Sequence, residues 1–332
     1  MTAPDMKARF PSVQPRLLAG LFSFVIAATG CQSVSNEPIV APPSAERLQA
    51  LELFDGITGQ AQTWQELETR VDQADIVVIG ELHGHPLGLP YAALAYQGSL
   101  DRNPDTALAL EFISRDRQYA VDAYSAGLID MEALQKAMGG SRGSNPKPHA
   151  PMIEASRKAQ RPIYAANAPR LYSTTARKMG YAALSELNAE QQRLFDVPDP
   201  LPSEEYRNRF YEIMSGGHSD AGNTENEAAE AAEPKPPTKT MLAFFRAQAL
   251  WDGTMSSTTS QAFDDGNRPV FLVIGQFHCD TNGGTLELLR RKQPNANILV
   301  VSVTDEWSDT LREEDQDRAD FIVYVGPFPE DG

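Results

Sequence analysis

Two histidines sit in near-identical frames far apart in the chain. Val77-Val78-Ile79-Gly80-Glu81-Leu82-His83 is echoed by Leu272-Val273-Ile274-Gly275-Gln276-Phe277-His278. The chain has only five histidines, so a matched pair is a chemical signal. Further on, Glu111 follows another apolar run. Two imidazoles with one or two carboxylates can hold a divalent transition metal with coordination positions left open. The same set can do general acid–base work on a water. Glu81 and Glu111 are the candidate catalytic carboxylates, and His83, His278, Glu81 and Glu111 the candidate metal site. Glu81 becomes Gln276 in the second copy, so the two halves are chemically unequal and His278 closes the site opposite His83.

The elements that must position these residues are strands. An apolar run that ends in glycine reads as a buried parallel strand leaving its sheet. In open α/β sheets, ligands bind at that carboxyl edge. Strands are expected at Ile76–Ile79, Ala107–Leu110, Ile163–Ala166, Val270–Ile274, Ile298–Val303 and Phe321–Val325. Helices are expected at Leu89–Leu100, Arg117–Ala126, Ala150–Gln160 and Leu286–Lys292. The alternation points to an α/β fold: a mostly parallel central sheet flanked by helices, with a helical lid insertion. The insertion spans about 168–263 and contains an acidic stretch, about 216–240, too poor in apolar residues to pack. Parallel strands would bring Glu81, His83, His85, Glu111, Arg115, Asn167, Gln276, His278, Cys279, Asp305 and Glu306 to one rim.

Each residue also has a plainer reading. Glu111 could cap a helix N-terminus, and His85, before Pro86, could stabilise a turn. Cys279 could present a thiolate or fill space as a small apolar residue. His149 reads as helix-terminal and structural, and His218 follows a Gly-Gly pair that could hinge a lid. Gln248 and Asp252 interrupt the apolar face around Trp251, so they either reach the rim or cap a loop.

The chain has 332 residues and a net charge of −16. Lys7, Arg9 and Arg16 precede an apolar run, Leu17–Ala28, too short for a bilayer span of roughly twenty residues and matching a signal peptide. Ala28-Thr29-Gly30-Cys31 resembles the lipobox of bacterial lipoproteins, with Ala28 where leucine is usual. This implies residues 1–30 as signal peptide, lipidation (palmitate included) at Cys31, and residues 31–47 as a flexible tether to a domain at 48–330. The resemblance further implies a cell-envelope protein held to the membrane by its lipid alone, with Gln32 pointing to the outer membrane, facing the periplasm. Loss of Lys7, Arg9, Arg16 and Asp5 takes the net charge from −16 to −18. No basic stripe remains for nucleic acid.

Gly80-Glu81-x-His83, Leu110-Glu111-Phe112 with Arg115-Asp116-x-Gln118, Ala166-Asn167-Ala168-Pro169, Gln248-x-x-Trp251-Asp252-x-x-Met255 and Gly275-x-x-His278 occur in this order. Together they resemble the ChaN-like haem-binding lipoproteins, in a superfamily with Tiki, TraB and the erythromycin esterases. The resemblance implies haem as cofactor and partner, a role in iron or haem uptake, a homodimer sandwiching porphyrins, and tyrosine ligation. The wider superfamily implies instead a metal-dependent hydrolase built on the two histidine motifs, so the enzyme question stays open. Arg115, Asn167, Gln248 and Asp252 fall in the shared motifs as supporting residues. Tyr206, Tyr211 and His218 are the haem-ligand candidates. Phe210, Tyr211, Phe244, Phe245 and Trp251 could line a haem pocket, with Arg207, Arg209 and Arg246 on the propionates. Departures occur at Gly84-His85 and in the stretch Cys279–Gly284, both beside the histidines.

Overall fold

Eight strands among the described residues form one sheet, in the spatial order Ala61–Gln62, Glu52–Asp55, Phe321–Tyr324, Ile298–Thr304, Ile76–Glu81, Val270–Gly275, Ala107–Ser114 and Ile163–Asn167. The computed structural model describes residues 42–139, 146–215 and 237–329. Cys31, His218, the leader and most of the acidic stretch lie outside them. The strands are β1 (Glu52–Asp55), β2 (Ala61–Gln62), β3 (Ile76–Glu81), β4 (Ala107–Ser114), β5 (Ile163–Asn167), β6 (Val270–Gly275), β7 (Ile298–Thr304) and β8 (Phe321–Tyr324). From β8 to β5 all pairings are parallel, while β1 pairs antiparallel with β2 and β8. All six expected strands are present. The two extra ones are short, polar-ended edge segments without an apolar run.

The parallel strands are apolar on both faces because helices cover both. Val77, Ile79, Leu108, Leu110, Phe271 and Val273 pack beneath one helical layer. Ile76, Val78, Ala109, Leu272 and Ile274 face the other, with Met255, Ala262, Leu286 and Leu289. The helix Lys239–Asp264 dominates this second layer; the Thr238 hydroxyl caps it by accepting from Met241 N. It starts within the stretch expected to stay unpacked. No described helix is long and apolar enough to cross a membrane.

The chain returns from this helix to place β6 between β3 and β4. That crossover sets the two histidine motifs side by side, with Gly80 opposite Ile274 and Glu81 opposite Gly275. The β4–β6 pairing ends at Leu110–Val273, so Glu111 emerges where the ladder stops.

Candidate functional site

Two histidine–carboxylate pairs meet at the carboxyl edge of β3, β4 and β6. In the first, Nδ1 of His83 lies 3.0 Å from Oε1 of Glu81. A carboxylate only accepts, so Nδ1 carries the proton. The other oxygen, Oε2, accepts from Nε2 of His149 at 2.7 Å. Phe112 holds both rings: it meets His83 edge-on at 4.9 Å and stacks on His149 at 4.7 Å. Burial raises the pKa of Glu81, but the bonds from His149 and His83 outweigh it and leave the carboxyl below its ordinary value. The bond to Glu81 holds the pKa of His83 above 6.5, against the opposing effect of burial. His83 remains half-exposed, at 55% of its side chain, and its Nε2 makes no hydrogen bond among the described residues.

In the second pair, Nδ1 of His278 donates to Oδ1 of Asp252 at 2.6 Å. Asp252 is fully buried and also accepts from Thr285 Oγ1 (2.8 Å) and Tyr206 Oη (2.9 Å). Gln248 completes the cluster, donating through Nε2 to Tyr206 Oη at 2.9 Å and lying 3.3 Å from His278 Nδ1. Burial pulls the pKa of His278 down, yet the carboxylates of Asp252 and Glu111 prevail and push it up to about 9. Glu111 stands between the pairs: Oε1 is 3.6 Å from Nε2 of His278, and Oε2 accepts from Gly275 N at 2.6 Å. Glu111 thus caps the end of β6, rather than the helix N-terminus that its neighbours suggested.

The motif glycines are where close approach requires them. A Cβ on Gly275 would stand 2.8 Å from Cε1 of His83, and one on Gly284 would collide with Oδ2 of Asp252. A Cβ on Gly80 would stand 2.8 Å from the sulfur of Cys279. Cys279 is therefore the small buried residue of the plainer reading, and burial pushes its thiol pKa well up. Gln276, the counterpart of Glu81, donates to the Val303 carbonyl.

Several expected site residues do other work. The guanidinium of Arg115 bonds Thr258, the Thr254 carbonyl and Asp196, bracing the end of β4 against the long helix. Asn167 accepts from its neighbour Ala168 N and shapes its own turn. His85 donates from Nε2 to the Gly326 carbonyl and accepts at Nδ1 from Leu87 N and Gly88 N, so it is the turn stabiliser. Tyr206 is fully buried with its hydroxyl committed to Asp252, which excludes it as a ligand for an incoming group. Tyr211 is buried too, but its hydroxyl has no hydrogen-bond partner among the described residues. His149 is helix-terminal and buried, as read, and it also completes the first pair, for which the only hint was a histidine set between Pro148 and Pro151. Among the described residues, no group of three or more His, Cys, Asp or Glu side chains is arranged to hold a metal ion. The structure therefore gives the metal alternative no support: Nδ1 of His83 and Nδ1 of His278 are each engaged by a carboxylate.

Beside the second pair lies a cavity of about 300 Å³, lined by Gln248 together with Phe210, Phe244, Trp251, Met214, Arg170 and Arg177. Arg177 lies 4.7 Å over the Phe244 ring. Phe245 and Tyr211 pack behind Phe210 instead of lining it. The arginines expected there are engaged elsewhere: Arg246 with the carbonyls of Ala176 and Arg177, Arg209 with those of Asp280 and Thr281, Arg207 with Glu204.

A family model described as haem-binding uptake, Tiki superfamily, ChaN matches residues 67–289, which hold both histidine pairs. The chain belongs to the ChaN family. No curated protein matches this ChaN-family chain. Among solved structures it is similar to ChaN of Campylobacter jejuni, described as showing cofacial haem binding, with TM-score 0.58 and 15% identity over 82% of this chain and 96% of that one. The type III effector HopBA1 follows with TM-score 0.44 and 11% identity, covering 84% and 98%. A mutant of the erythromycin esterase EreC, in its open conformation, has TM-score 0.41 and 10% identity, covering 83% of each. The first likeness supports the shared fold, and the other two add nothing to it.

Proposed function

We propose that this chain binds haem beside the carboxyl edge of its sheet, in the cavity between Phe244 and Trp251. The observation that carries the reading is the chemistry of that cavity within a ChaN-family chain: aromatic walls for a porphyrin, with Arg170 and Arg177 for its carboxylates. Arg170 and Arg177 lie seven residues apart on one helix, about 10 Å along its axis. Among the ligand candidates, Tyr211 is the tyrosine whose hydroxyl has no partner among the described residues, but it packs behind Phe210 outside the lining of this cavity, so the axial ligand is not assigned to it. Bound haem would supply the iron; this chain would supply the apolar walls and the cations.

A cavity this size is at the small end of ligand sites, so a porphyrin seated there keeps one face outside. Leu171, Met179, Ile213, Met214 and Leu242 are exposed on the helices that build its mouth. A second copy covering that face would give the cofacial arrangement described for the Campylobacter jejuni protein. We further read Cys31 as lipidated, which would hold the protein at the outer membrane, where a role in iron or haem uptake would be exercised.

Haemin titration of the purified chain tests this reading. A saturable Soret shift is expected, weakened about tenfold or more in Arg170→Ala/Arg177→Ala. No saturable shift would sink it. Mass spectrometry of the envelope-extracted protein should show acyl mass at Cys31, absent in Cys31→Ser.

A second reading rests on His83. Its Nδ1 is fixed by Glu81 and its Nε2 is free in a half-exposed ring, the arrangement of a general base acting on water. Ester turnover that disappears in His83→Ala, without haem dependence, would favour this hydrolytic reading.

A further inference from the structure

A second cavity, of about 320 Å³, lies between the helix Gly284–Lys292 and the segment that leads into β8. Its walls carry both signs of charge. Arg318 gives Nε to Asp280 and Nη1 to Asp315, and Arg290 gives Nη1 to Asn282. Among the described residues, Nη2 of each has no hydrogen-bond partner. Facing them, Asp320 accepts from Val300 N through one oxygen only, and the Asp317 carboxylate accepts nothing from the described residues. The arginines are thus oriented from behind with donors to spare, and the aspartates keep free acceptors.

The backbone supports a ligand role. Four described non-glycine residues have positive φ, and three of them line this cavity: Thr281 (51°), Asn282 (55°) and Asp317 (60°). A β-branched residue there is a genuine outlier. Such strain persists where the surroundings impose it, and it concentrates at ligand clamps. Ile57 and Leu286 add an apolar wall.

We propose that this cavity binds a free aliphatic amino acid, its carboxylate on Arg290 and Arg318 and its ammonium on Asp317 and Asp320. With Glu205 and Arg209 the lining holds three carboxylates and three guanidiniums, so an anion alone would meet the first set and a cation alone the second; a zwitterion satisfies both. The volume, at the small end of ligand sites, is ample for an amino acid. The inference is independent of haem binding.

Calorimetric titration of the purified full chain with each of the twenty amino acids, with isovalerate and isoamylamine as single-charge controls, tests the proposal. An aliphatic amino acid should give saturable heat, with both controls at least about tenfold weaker. Arg290→Gln and Asp317→Asn, which leave a solvent-facing side chain and a left-handed backbone in place, should each weaken it about tenfold or more with unchanged circular dichroism. The proposal is overturned if no amino acid gives saturable heat, if both variants bind as before, or if either control binds as tightly as the amino acid.

Discussion

The two histidine pairs use the same chemistry and are built in opposite ways. His83 and Glu81 are two residues apart on one strand end, and the imidazole is half in water. His278 takes its carboxylate from Asp252 on a different element, and both lie inside the protein. The first pair is local and open, so it can meet a ligand. The second is assembled by the tertiary structure and closed by Thr285 and Tyr206, so it organises the core beneath the site. The pair with the stronger electrostatics is therefore the one further from solvent.

The largest effect should come from breaking the closed pair. Asp252→Ala leaves His278, Thr285 and Tyr206 without their shared acceptor, and about 3–5 kcal/mol of stability should disappear. Urea unfolding measures it; a loss below about 1 kcal/mol would show that the cluster is not the anchor described.

A pH scan sharpens the contrast next. The pKa of His278 is raised from 6.5 to about 9, so its contribution to stability is fully present below about 6.5. It is lost as pH rises through about 9. Stability should fall across that window, and His278→Gln should flatten most of the fall. Glu81, with a lowered pKa, acts in the other direction: its contribution is present above 4.5 and is lost at lower pH.

Independence of the pairs is a finer test. In Glu81→Gln, the His83 imidazole loses the bond that raises its pKa, so its titration, followed by NMR, should move down. His278 should still titrate near 9. A joint shift would mean that Glu111 couples the pairs more strongly than its 3.6 Å separation from His278 implies.

The smallest effects separate the two glycines. Gly284→Ala drives a methyl against buried Asp252, which cannot yield, and should cost about 1–3 kcal/mol. Gly275→Ala meets His83, whose half-exposed ring can swing aside, so it should cost less and instead perturb His83. Thermal unfolding of both variants orders them; equal losses would remove the distinction between an open and a closed pair.

Much of this was legible beforehand. The six apolar runs are strands because continuous Val, Ile and Leu has no other economical place than a sheet covered on both faces. Their polar ends share one edge because the strands are parallel. Glu81, His83, Glu111, His278, Gln248 and Asp252 do meet there. The errors share a cause: a polar side chain near the edge was credited to the site. Arg115 and Asn167 show that turns and strand ends need polar partners of their own, and His85 stabilises its turn as its plainer reading had it. His149 was missed because its partner Glu81 is 68 residues away and no local pattern pairs them. The same holds for Thr285 and Asp252.

By itself, the amino-acid sequence determined which segments become strands, which residue types reach the edge, and the local pair His83–Glu81, all of which follow from apolar periodicity and spacing within a few residues. The tertiary structure alone decided that β6 inserts between β3 and β4, that Asp252 rather than Gln276 holds His278, and which arginines face a cavity. These depend on where a helix 26 residues long lands on the sheet. Hydrogen bonds between buried groups form only once packing has brought them within about 3 Å, and no spacing along the chain encodes that distance.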